Sequence, residues 1–407
     1  MWQKIKNTYH LSQAILGSLY YRFPSRKLKV IGVTGTDGKT TTTHLIYHIL
    51  KESGKKVSMI SSIYANIAGK TYDTGFHVTT PDVFPLHRFL QKSAAAGDEY
   101  FVLETTSHAL AQNRVYGIKY QAGVLTNITH EHLDFHKTYE EYIKSKLRLL
   151  KRATLTLVNA DDESFSAVKQ LLNKKFYTYA LKNKADFRID LSKNLELPIA
   201  HFNKYNYLAA YALCKLLGIP ENNILTALQT FKLPAGRLEV IYDKDFTAII
   251  DFAHTPNAIG SALSAIKKHY SAKHGRLIHV FGSAGQRDAS KRPFMGEESG
   301  TYADIVILTE EDYRTEDPKE ISEQIAVGLK KKGFHEEANL TYLSNKTYTI
   351  ILDRKKAIEK AVEIAKPGDA IVLTGKSHEK SLSRGKTEYP WNEKETLLNA
   401  LNKLKVR

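Results

Sequence analysis

Apolar residues recur along the chain in alternating strand-like and helix-like patterns. A short apolar run at Lys29–Val33 is followed by a helical pattern at Thr40–Glu52, and the same succession repeats as far as residue 159. Such an alternation is typical of a parallel sheet with helices on both faces. The further predicted strands are Val57–Ser61, Tyr100–Glu104, Gly123–Thr126 and Thr154–Asn159, and the further predicted helices are Asp82–Ala95 and Tyr139–Leu150.

A second alternating series follows two more helices and a hinge. The helices are predicted at Asn203–Leu217 and Ile224–Phe231, and Leu233–Arg237 is predicted as the hinge because it contains proline and glycine. Beyond it the predicted elements are a hairpin (Glu239–Tyr242 and Phe246–Asp251), the strands Leu277–Phe281, Asp304–Leu308 and Ala370–Leu373, and the helices Pro256–Lys268, Pro318–Lys331, Arg354–Ile364 and Glu393–Leu404.

The pattern divides the chain into a short helical extension at residues 1–26, a first α/β domain at 27–234 and a second at 235–407. One helical stripe of the extension is apolar and is flanked by lysine and arginine. Such a helix can lie on a membrane surface or dock on the next domain, and docking is the commoner of the two. The stripe consists of Leu11, Ala14, Ile15, Leu19 and Tyr20.

The composition indicates a globular protein with an anionic partner. With 407 residues, 42% of them apolar, the chain is long enough for two or three domains. Its 59 Lys+Arg and 43 Asp+Glu give a net charge of +16, which suits a nucleotide, a nucleic acid or a membrane surface. Because the lysines are dispersed, we expect a solvated basic surface and no nucleic acid partner. A single cysteine (Cys214), no membrane-length apolar run and no secretory pattern indicate a cytoplasmic protein without a transmembrane segment.

A glycine-rich turn after the first strand has the features of a phosphate-binding loop. Gly35 and Gly38 can adopt conformations that turn backbone N–H groups toward an anion, and the following helix N-terminus adds partial positive charge. Lys39 can reach the β- and γ-phosphates, and Thr40 can offer its hydroxyl to Mg²⁺. The general P-loop pattern has glycine where this chain has Val33, so the spacing here is a narrower variant.

Acidic residues and histidines follow two further strands. Glu104 ends an apolar strand at the same sheet edge as the glycine-rich turn, where a Mg²⁺ ligand explains it better than an ordinary surface acid. The segment His130–His136 reads H-x-H-x-D-x-H, one residue different from the metallo-β-lactamase signature, and a hydrolytic zinc site is not favoured. Lys146 follows His132 by fourteen residues in a helix, where a lysine by itself is more often solvated.

Seven motifs resemble those of the Mur ligases and appear in the family's order. The resemblance is strongest to the members that add an amino acid to a UDP-N-acetylmuramoyl-dipeptide. They are spread over about residues 28–400, so the resemblance is highly specific. The motifs lie at Gly32–Thr43, Thr79–Asp82, Glu104–Leu110, His132–Lys146, Asp251–Pro256, Lys291–Pro293 and Gly375–Glu379.

The resemblance implies an ATP-dependent, amide-forming ligase of peptidoglycan precursor synthesis. It implies that the donor carboxylate takes the γ-phosphoryl group to give an acyl phosphate, from which the incoming amine displaces phosphate. Its cofactors are ATP and two Mg²⁺ ions, and Lys39, His132 and Lys146 are catalytic, with Lys146 carbamylated to form an anionic metal ligand. The implied fold is a central P-loop-type ATPase domain with a parallel sheet, followed by a Rossmann-like α/β C-terminal domain.

By the same resemblance, three groups of residues bind ligands. The metal ligands are Thr40, Glu104, His132 and Lys146. The nucleotide-binding residues are Gly35, Thr36, Asp37, Gly38, Lys39, Thr40, Thr41, Asn206, Arg237, Asp251 and His254. The substrate-binding residues are Thr79, Thr80, Ser107, Gln112 and Arg114 for the muramoyl-peptide donor, and Asp312, Arg314 and Glu379 for the amino acid, which we expect to be a diamino acid.

Three departures from the family pattern affect these expectations. Residues 1–26 stand where the family has a uridine-binding domain, so we expect either weak uridine recognition or a protein partner that supplies it. The insertion at 179–202 is shorter than usual, and Ala200–Asn203 lacks the glycine that normally precedes Phe-Asn. Glu311–Arg314 reads Glu-Asp-Tyr-Arg where diaminopimelate-adding members have Asp-Asn-Pro-Arg, which leaves the added amino acid open.

Two other functions fit parts of the sequence. A ligase for another γ-glutamyl substrate, such as a folate or poly-glutamate, would share the chemistry, but Thr79–Pro81 and the cluster at Ser107–Arg114 argue against it. A catalytically inert nucleotide-binding scaffold of a wall-synthesis complex would suit the short N-terminal region. Every residue expected to contact Mg²⁺ or the ATP phosphates is present, however, and this favours an enzyme.

Overall fold

A computed structural model of the chain describes residues 2–74, 79–129, 133–189, 191, 195, 200–270 and 275–405. The chain divides into two compact units, Met1–Lys232 and Leu233–Arg407, each with its own sheet. Parallel strands alternate with helices in both units, so the predicted α/β fold class is confirmed. The predicted domain limits at 26/27 and 234/235 stay predictions.

An eight-stranded sheet forms the centre of the first unit. Its strands are β1 (Lys29–Thr34), β2 (Val57–Ile60), β3 (Ala65–Ile67), β4 (Lys70–Tyr72), β5 (Tyr100–Glu104), β6 (Tyr120–Leu125), β7 (Leu155–Asn159) and β8 (Tyr177–Tyr179). They lie in the order β4-β3-β2-β5-β1-β6-β7-β8, and β1 pairs in parallel with both β5 and β6. The β2–β3 and β3–β4 pairs are antiparallel. The carboxyl ends of the three central strands therefore share one edge of the sheet.

Helices cover both faces of this sheet. They are α1 (Trp2–Tyr20), α2 (Lys39–Glu52), α3 (Val83–Ala95), α4 (Ser107–Ala111), α5 (Leu133–His136), α6 (Tyr139–Arg152), α7 (Phe165–Leu172), α8 (His201–Leu216) and α9 (Glu221–Thr230). Side chains of β1 alternate between the faces, so Ile31 packs in one core with Leu45 of α2, and Val30 packs in the other with Leu147 of α6. The β1–α2 turn is thus fixed by cores on both sides.

The second unit is built on a seven-stranded sheet and a separate two-stranded hairpin. The sheet consists of β9 (Glu239–Asp243), β10 (Thr247–Asp251), β11 (Leu277–Phe281), β12 (Ile305–Leu308), β13 (His335–Glu336), β14 (Thr347–Ile350) and β15 (Ala370–Thr374), and the hairpin of β16 (Ser381–Arg384) and β17 (Thr387–Pro390). The order is β13-β14-β12-β11-β15-β10-β9, with β9 antiparallel to β10 at one edge.

The helices of the second unit also form two layers. They are α10 (Pro256–Tyr270), α11 (Arg292–Tyr302), α12 (Pro318–Lys331), α13 (Arg354–Ile364) and α14 (Glu393–Lys405). A fully buried ion pair joins the last two, since the guanidinium of Arg354 donates to both carboxylate oxygens of Glu393. Arg354 also donates to the carbonyl of Thr374 at the end of β15 (2.7 Å), which fixes these helices relative to the sheet. Within the described residues, no helix is both long and apolar enough to cross a membrane.

Candidate active site

Two glycines of the turn between β1 and α2 lie where a side chain would collide with its neighbours. A Cβ atom on Gly35 would lie 1.8 Å from Oγ1 of Thr126, and one on Gly38 would lie 2.2 Å from Oδ1 of Asn206. Gly38 also has a φ of 78°, a left-handed conformation that favours glycine. The close approach of this turn to its surroundings therefore depends on both glycines.

Hydrogen bonds fix the backbone of the same turn. The amide of Asp37 donates to the side-chain oxygen of Asn127 (2.8 Å), and the side-chain amide of Asn127 donates to the carbonyl of Asp37 (3.2 Å). The amine of Lys39, the first residue of α2, donates to the carbonyl of Thr36 (2.6 Å). Thr41 is buried in the first turn of the helix. A preorganised turn with a lysine at a helix N-terminus suits a phosphate group.

Thr40 and Glu104 meet at the end of β5. The Thr40 hydroxyl lies 3.0 Å from Oε1 of Glu104 and 2.9 Å from the Ser62 hydroxyl. The other Glu104 oxygen accepts from the backbone amide of Ser62 (2.9 Å). Only 1% of Glu104 is exposed, and a buried carboxylate is stable only with donors or a cation. This group of oxygen atoms beside the phosphate turn fits Mg²⁺.

Lys146 on α6 reaches the β1–α2 turn, which is the predicted phosphate-binding turn. Its amine donates to the carbonyl of Gly35 (2.7 Å) and lies 4.3 Å from the centre of the Tyr142 ring. The Tyr142 hydroxyl in turn lies 3.1 Å from Oγ1 of Thr36. Lys146 is only 1% exposed, so it is not the solvated lysine that its helical position alone favours. His132, the remaining predicted metal ligand, lies outside the described residues.

His136 is a buried residue to which the sequence analysis assigns no role. Its Nε2 atom lies 3.1 Å from the hydroxyl of Ser107, a predicted donor-binding residue. Burial, together with the positive charges of Lys146 and Arg148, lowers the pKa of His136 to about 4, so its ring is neutral at pH 7. A signal was present in the sequence, because His136 is the last histidine of the H-x-H-x-D-x-H segment.

The other predicted donor-binding residues lie at the same sheet edge. The Thr80 hydroxyl donates to the carbonyl of Glu104 (3.0 Å), and the guanidinium of Arg114 donates to the carbonyl of Thr80 (2.8 Å). Thr79 and Gln112 are half-buried, and Gln112 directly follows α4 as its C-cap. Thr80 is therefore hydrogen-bonded directly to Glu104, and Arg114 is connected to Glu104 through Thr80.

Asn206 of α8, a predicted nucleotide-binding residue, lies beside the glycine-rich turn of the first unit. Its side-chain oxygen accepts from the Thr42 hydroxyl (3.3 Å), and its side-chain amide donates to Asn203 (2.9 Å). The first unit thus brings one end of α8 against the phosphate turn. Within it the structure assembles the predicted residues Gly35, Gly38, Thr40, Thr80, Glu104, Ser107, Arg114, Lys146 and Asn206.

The second unit carries the remaining predicted nucleotide-binding residues. Asp251 ends β10 and accepts from the backbone amide of Leu238 (2.8 Å). Burial raises the pKa of Asp251, and the positive charge of Arg237 opposes that shift. The guanidinium of Arg237 lies 4.6 Å from the centre of the Phe252 ring, and the ring of His254 lies 4.9 Å from it. Phe252, which the sequence analysis does not assign, is the flat apolar surface between these two polar side chains.

Asp312 and Glu379 share one buried lysine. The amine of Lys376, which is 0% exposed, donates to Oδ1 of Asp312 (2.8 Å) and to the carboxylate of Glu379. Burial alone would lower the pKa of Lys376, but the carboxylates of Glu379 and Asp312 raise it, so the amine is protonated. Lys376 therefore neutralises part of the charge of both predicted acceptor-binding acids. The sequence analysis missed this role although Lys376 lies within the Gly375–Glu379 motif.

Arg314 links the β16–β17 hairpin to the loop after β11. It has a φ of 53°, and its Nη1 atom donates to the carbonyl of Gly285 (2.6 Å). Its backbone amide donates to Ser383 (3.1 Å), and its carbonyl accepts from Gly385 (2.7 Å). These contacts hold Arg314 in place, and the residue is half-exposed. A guanidinium has five N–H donors, so the remaining ones can bind a carboxylate.

Glu311 is a buried acid beside this group that the sequence analysis does not assign a role. Its Oε2 atom has no hydrogen-bond partner among the described residues, and a Cβ atom on Gly375 would lie 2.6 Å from it. Burial raises the pKa of Glu311, and the charges of Asp312 and Glu379 add to the shift. A buried carboxyl oxygen without a partner is suited to an N–H donor of a ligand.

Comparison with protein families gives two matches that together span most of both units. Residues 33–214 match the family described as Mur ligase middle domain, and residues 236–377 match the one described as Mur ligase, glutamate ligase domain. The phosphate turn, Glu104, Lys146 and Asn206 fall within the first match. Arg237, Asp251, His254, Asp312 and Arg314 fall within the second.

Individual proteins are similar over nearly the whole chain. UDP-N-acetylmuramoyl-L-alanyl-D-glutamate–2,6-diaminopimelate ligase of Aquifex aeolicus is 37% identical over 403 residues. The match covers 94% of this chain and 79% of that protein. The enzyme of the same name from Parabacteroides distasonis is 38% identical over 383 residues, which cover 90% of this chain and 76% of that protein.

Two solved structures are similar to this chain in fold. A structure of UDP-N-acetylmuramoyl-L-alanyl-D-glutamate–2,6-diaminopimelate ligase has a TM-score of 0.60 at 27% identity and covers 97% of this chain and 83% of its own. Mycobacterium tuberculosis folylpolyglutamate synthase complexed with ADP has a TM-score of 0.64 at 14% identity, with 90% of this chain and 91% of its own covered. At that identity the second likeness shows the fold alone.

Proposed function

This chain belongs to the Mur ligase family, and from that premise we propose that it joins a diamino acid to the dipeptide carboxylate of a UDP-N-acetylmuramoyl-dipeptide. The chain is an ATP-dependent ligase, and members of its family use ATP and Mg²⁺. The observation that carries the proposal is the contact between Thr40 and Glu104, because it places a buried oxygen cluster directly beside the phosphate-binding turn. An inert scaffold would not require this arrangement.

The first step of the proposed reaction is phosphoryl transfer. A donor carboxylate oxygen attacks the γ-phosphorus of ATP, the bond to the β,γ-bridging oxygen breaks, and ADP leaves while an acyl phosphate forms. Lys39 and the amides of the turn around Gly38 stabilise the charge on the phosphate oxygens, since such transfers depend on positioning and electrostatics. The turn is packed closely against Asn206, and this packing fixes the donors before the substrate binds.

The second step forms the amide bond. The neutral amine of the incoming amino acid attacks the acyl carbon, and the tetrahedral intermediate expels phosphate and loses a proton. Arg314 binds a carboxylate of the amino acid, and Glu379 or Glu311 accepts from its distal ammonium group. Lys376 already neutralises part of the negative charge of Asp312 and Glu379, so the second carboxylate of diaminopimelate meets less repulsion there. We therefore place diaminopimelate ahead of lysine as the acceptor.

We propose two Mg²⁺ positions in the first unit. Thr40 and Glu104 would hold one ion, and His132 with a carbamate on Lys146 would hold the other. Bound Mg²⁺ neutralises phosphate charge and acts as a Lewis acid. Carbamate formation joins the neutral Lys146 amine to CO₂ with loss of one proton, and the burial of Lys146 beside the Gly35 carbonyl supports it, since a buried amine is costly to keep charged.

Donor binding rests, in our proposal, on the muramoyl-peptide end. Thr80, Ser107 and Arg114 are fixed at the sheet edge beside Glu104 and offer hydroxyl and guanidinium donors to that end. Uridine would then contribute little when the 407-residue chain acts by itself. The alternative is a protein partner that supplies uridine binding. The test compares kcat/KM of the purified chain alone for the UDP-linked donor and for the same donor cut back to the muramoyl phosphate: a loss beyond about a hundredfold would show that this chain has a uridine site and would contradict our proposal.

We further propose that residues 27–234 and 235–407 act as the two catalytic domains, and that the enzyme works in the cytoplasm, where ATP is available. Ligation of a folate or another γ-glutamyl substrate is not favoured, because the likeness to folylpolyglutamate synthase is one of fold.

The direct test incubates the purified chain with ATP, Mg²⁺ and UDP-N-acetylmuramoyl-L-alanyl-D-glutamate, with diaminopimelate, lysine or glycine as acceptor. We expect one phosphate released per amide bond formed, a product mass equal to donor plus acceptor minus water, and the order diaminopimelate, lysine, glycine. Equal phosphate release without acceptor, or no product with any acceptor, would rule the proposal out.

A further inference from the structure

The N-terminal helix α1 is docked on the first unit through one narrow face. Ala14 is fully buried, and a Cβ atom on Gly17 would lie 2.8 Å from the Val83 side chain of α3. The Ser18 hydroxyl lies 3.3 Å from Nε2 of His87, which is also on α3. These contacts fix how α1 is rotated about its own axis.

The opposite face of α1 is apolar and exposed. Ile15, Leu16, Leu19 and Tyr20 are 43%, 59%, 54% and 75% exposed, and their spacing of one and four residues places them side by side on the helix. We call these four residues the apolar face of α1. Scattered single apolar residues are normal on a protein surface, but a contiguous group of four marks a binding surface.

The charged residues of the N-terminal segment that contains this face are all basic. Among the first 36 residues there is no aspartate or glutamate, because Asp37 is the first acid of the chain. The basic residues of this segment are Lys4, Lys6, Arg22, Arg26, Lys27 and Lys29. Arg22, Arg26 and Lys27 are exposed immediately after α1, where the backbone turns at Arg22 and Phe23 with φ values of 55° and 51°. An apolar face next to positive charge matches an anionic, partly apolar surface.

We propose that the apolar face of α1 binds the surface of a membrane that contains anionic lipid. The leucines and Tyr20 would enter the headgroup region, where tyrosine is favoured, and the arginines would contact lipid phosphates. The 19-residue helix is not apolar enough to cross the bilayer, so it lies in the plane of the surface. A second copy of this chain is a poorer occupant, because two such basic segments would repel each other.

Cosedimentation with vesicles tests the proposal on the full chain. The vesicles are phosphatidylcholine alone or phosphatidylcholine mixed with phosphatidylglycerol, each at low and at high salt. We expect binding to the mixed vesicles at low salt, weakened by high salt, and roughly tenfold less binding to phosphatidylcholine alone. Equal binding to both vesicle types, or binding to neither, would overturn the proposal.

Two variants test whether vesicle binding depends on the apolar face of α1 or is nonspecific. Leu16→Asp/Leu19→Asp changes only exposed side chains, and we expect it to lose roughly tenfold or more of the vesicle binding while keeping its ligase activity. Leu343→Asp is the matched control, since Leu343 is 73% exposed in the second unit, and it should bind as the unaltered chain does. Light scattering completes the test: a dimer that the double variant abolishes, without lipid binding by the unaltered chain, would assign the face to a second copy instead.

Discussion

The side-chain amine of Lys146 lies 2.7 Å from the backbone carbonyl oxygen of Gly35, although the two residues are 111 positions apart in the sequence. This hydrogen bond connects the middle of α6 to the proposed phosphate-binding turn. A basic side chain that is 1% exposed and contacts that turn is placed for a role in phosphate or metal chemistry.

Replacing Lys146 by arginine tests that role. Arginine keeps the positive charge but cannot form a carbamate, so Lys146→Arg should lose most of its turnover, roughly a hundredfold or more, while still binding ATP. Lys144→Arg on the same helix is the control, because Lys144 is 46% exposed and pairs with Glu140 at the surface. Turnover is measured by phosphate release and ATP binding by calorimetry. Unaltered turnover of Lys146→Arg would refute the carbamate.

Gly38→Ala tests the shape of the phosphate turn. The added methyl group would lie 2.2 Å from Oδ1 of Asn206, at a φ of 78° that costs a non-glycine residue about 1–2 kcal/mol. We expect the ATP dissociation constant to rise at least about tenfold. Gly54→Ala is the matched control, because its φ is 76° and no atom lies within 4 Å of the added Cβ. Equal ATP affinity of the two variants would show that the contact with Asn206 does not shape the site.

The strand, turn and helix at residues 29–52 are predicted correctly from the sequence because their signals are local. A left-handed residue at Gly38 followed by Lys39 at a helix N-terminus restricts the residue types along a few consecutive positions. The contact between His136 and Ser107 is different, since the residues are 29 positions apart, lie on α5 and α4, and meet only in the folded chain. The H-x-H-x-D-x-H segment indicates His136 as one of several histidines, but nothing local in it indicates which of them contacts Ser107.

Helix α11 shows why an element itself can be missed. Residues 292–302 contain Pro293, Gly296 and Gly300, a composition of low helix propensity. The structure gives the reason for one of these glycines: a Cβ atom on Gly296 would lie 2.1 Å from the carbonyl of Ile325 on α12. Close packing of two helices requires the glycine that makes the sequence resemble a loop.

Arg314→Ala tests the acceptor assignment. If the guanidinium binds a carboxylate of the incoming amino acid, its loss should raise the KM for that amino acid about tenfold to a hundredfold and leave the KM for ATP unchanged, because a charge-assisted hydrogen bond contributes about 1.5–3 kcal/mol. Lys319→Ala, a 66% exposed residue of α12, is the control. An unchanged acceptor KM in Arg314→Ala would remove Arg314 from the acceptor site.

His87 should make the free energy of unfolding depend on pH. Burial lowers its pKa from 6.5 to about 4, so the folded chain holds the ring neutral while the unfolded chain protonates it below pH 6.5. The unfolded state then binds more protons, and stability falls as the pH drops from about 6.5 toward 4, by at most about 3 kcal/mol for this residue. In urea unfolding, the free energy of unfolding of His87→Gln should fall less steeply as the pH drops than that of the unaltered chain. The variant His335→Gln, at an exposed histidine, should show the same fall as the unaltered chain. Identical slopes for His87→Gln and the unaltered chain would refute this assignment.

The central claim is that ATP activates the donor carboxylate, and transfer of an oxygen isotope tests it most directly. The donor is labelled with ¹⁸O in its reacting carboxylate and incubated with ATP, Mg²⁺ and diaminopimelate, and the released phosphate is analysed by mass spectrometry. Because the acyl phosphate breaks between carbon and the bridging oxygen, we predict that one ¹⁸O atom moves to phosphate for each amide formed. Phosphate released without ¹⁸O during turnover would contradict the account, since it would show that the phosphoryl group passes to water and never to the donor.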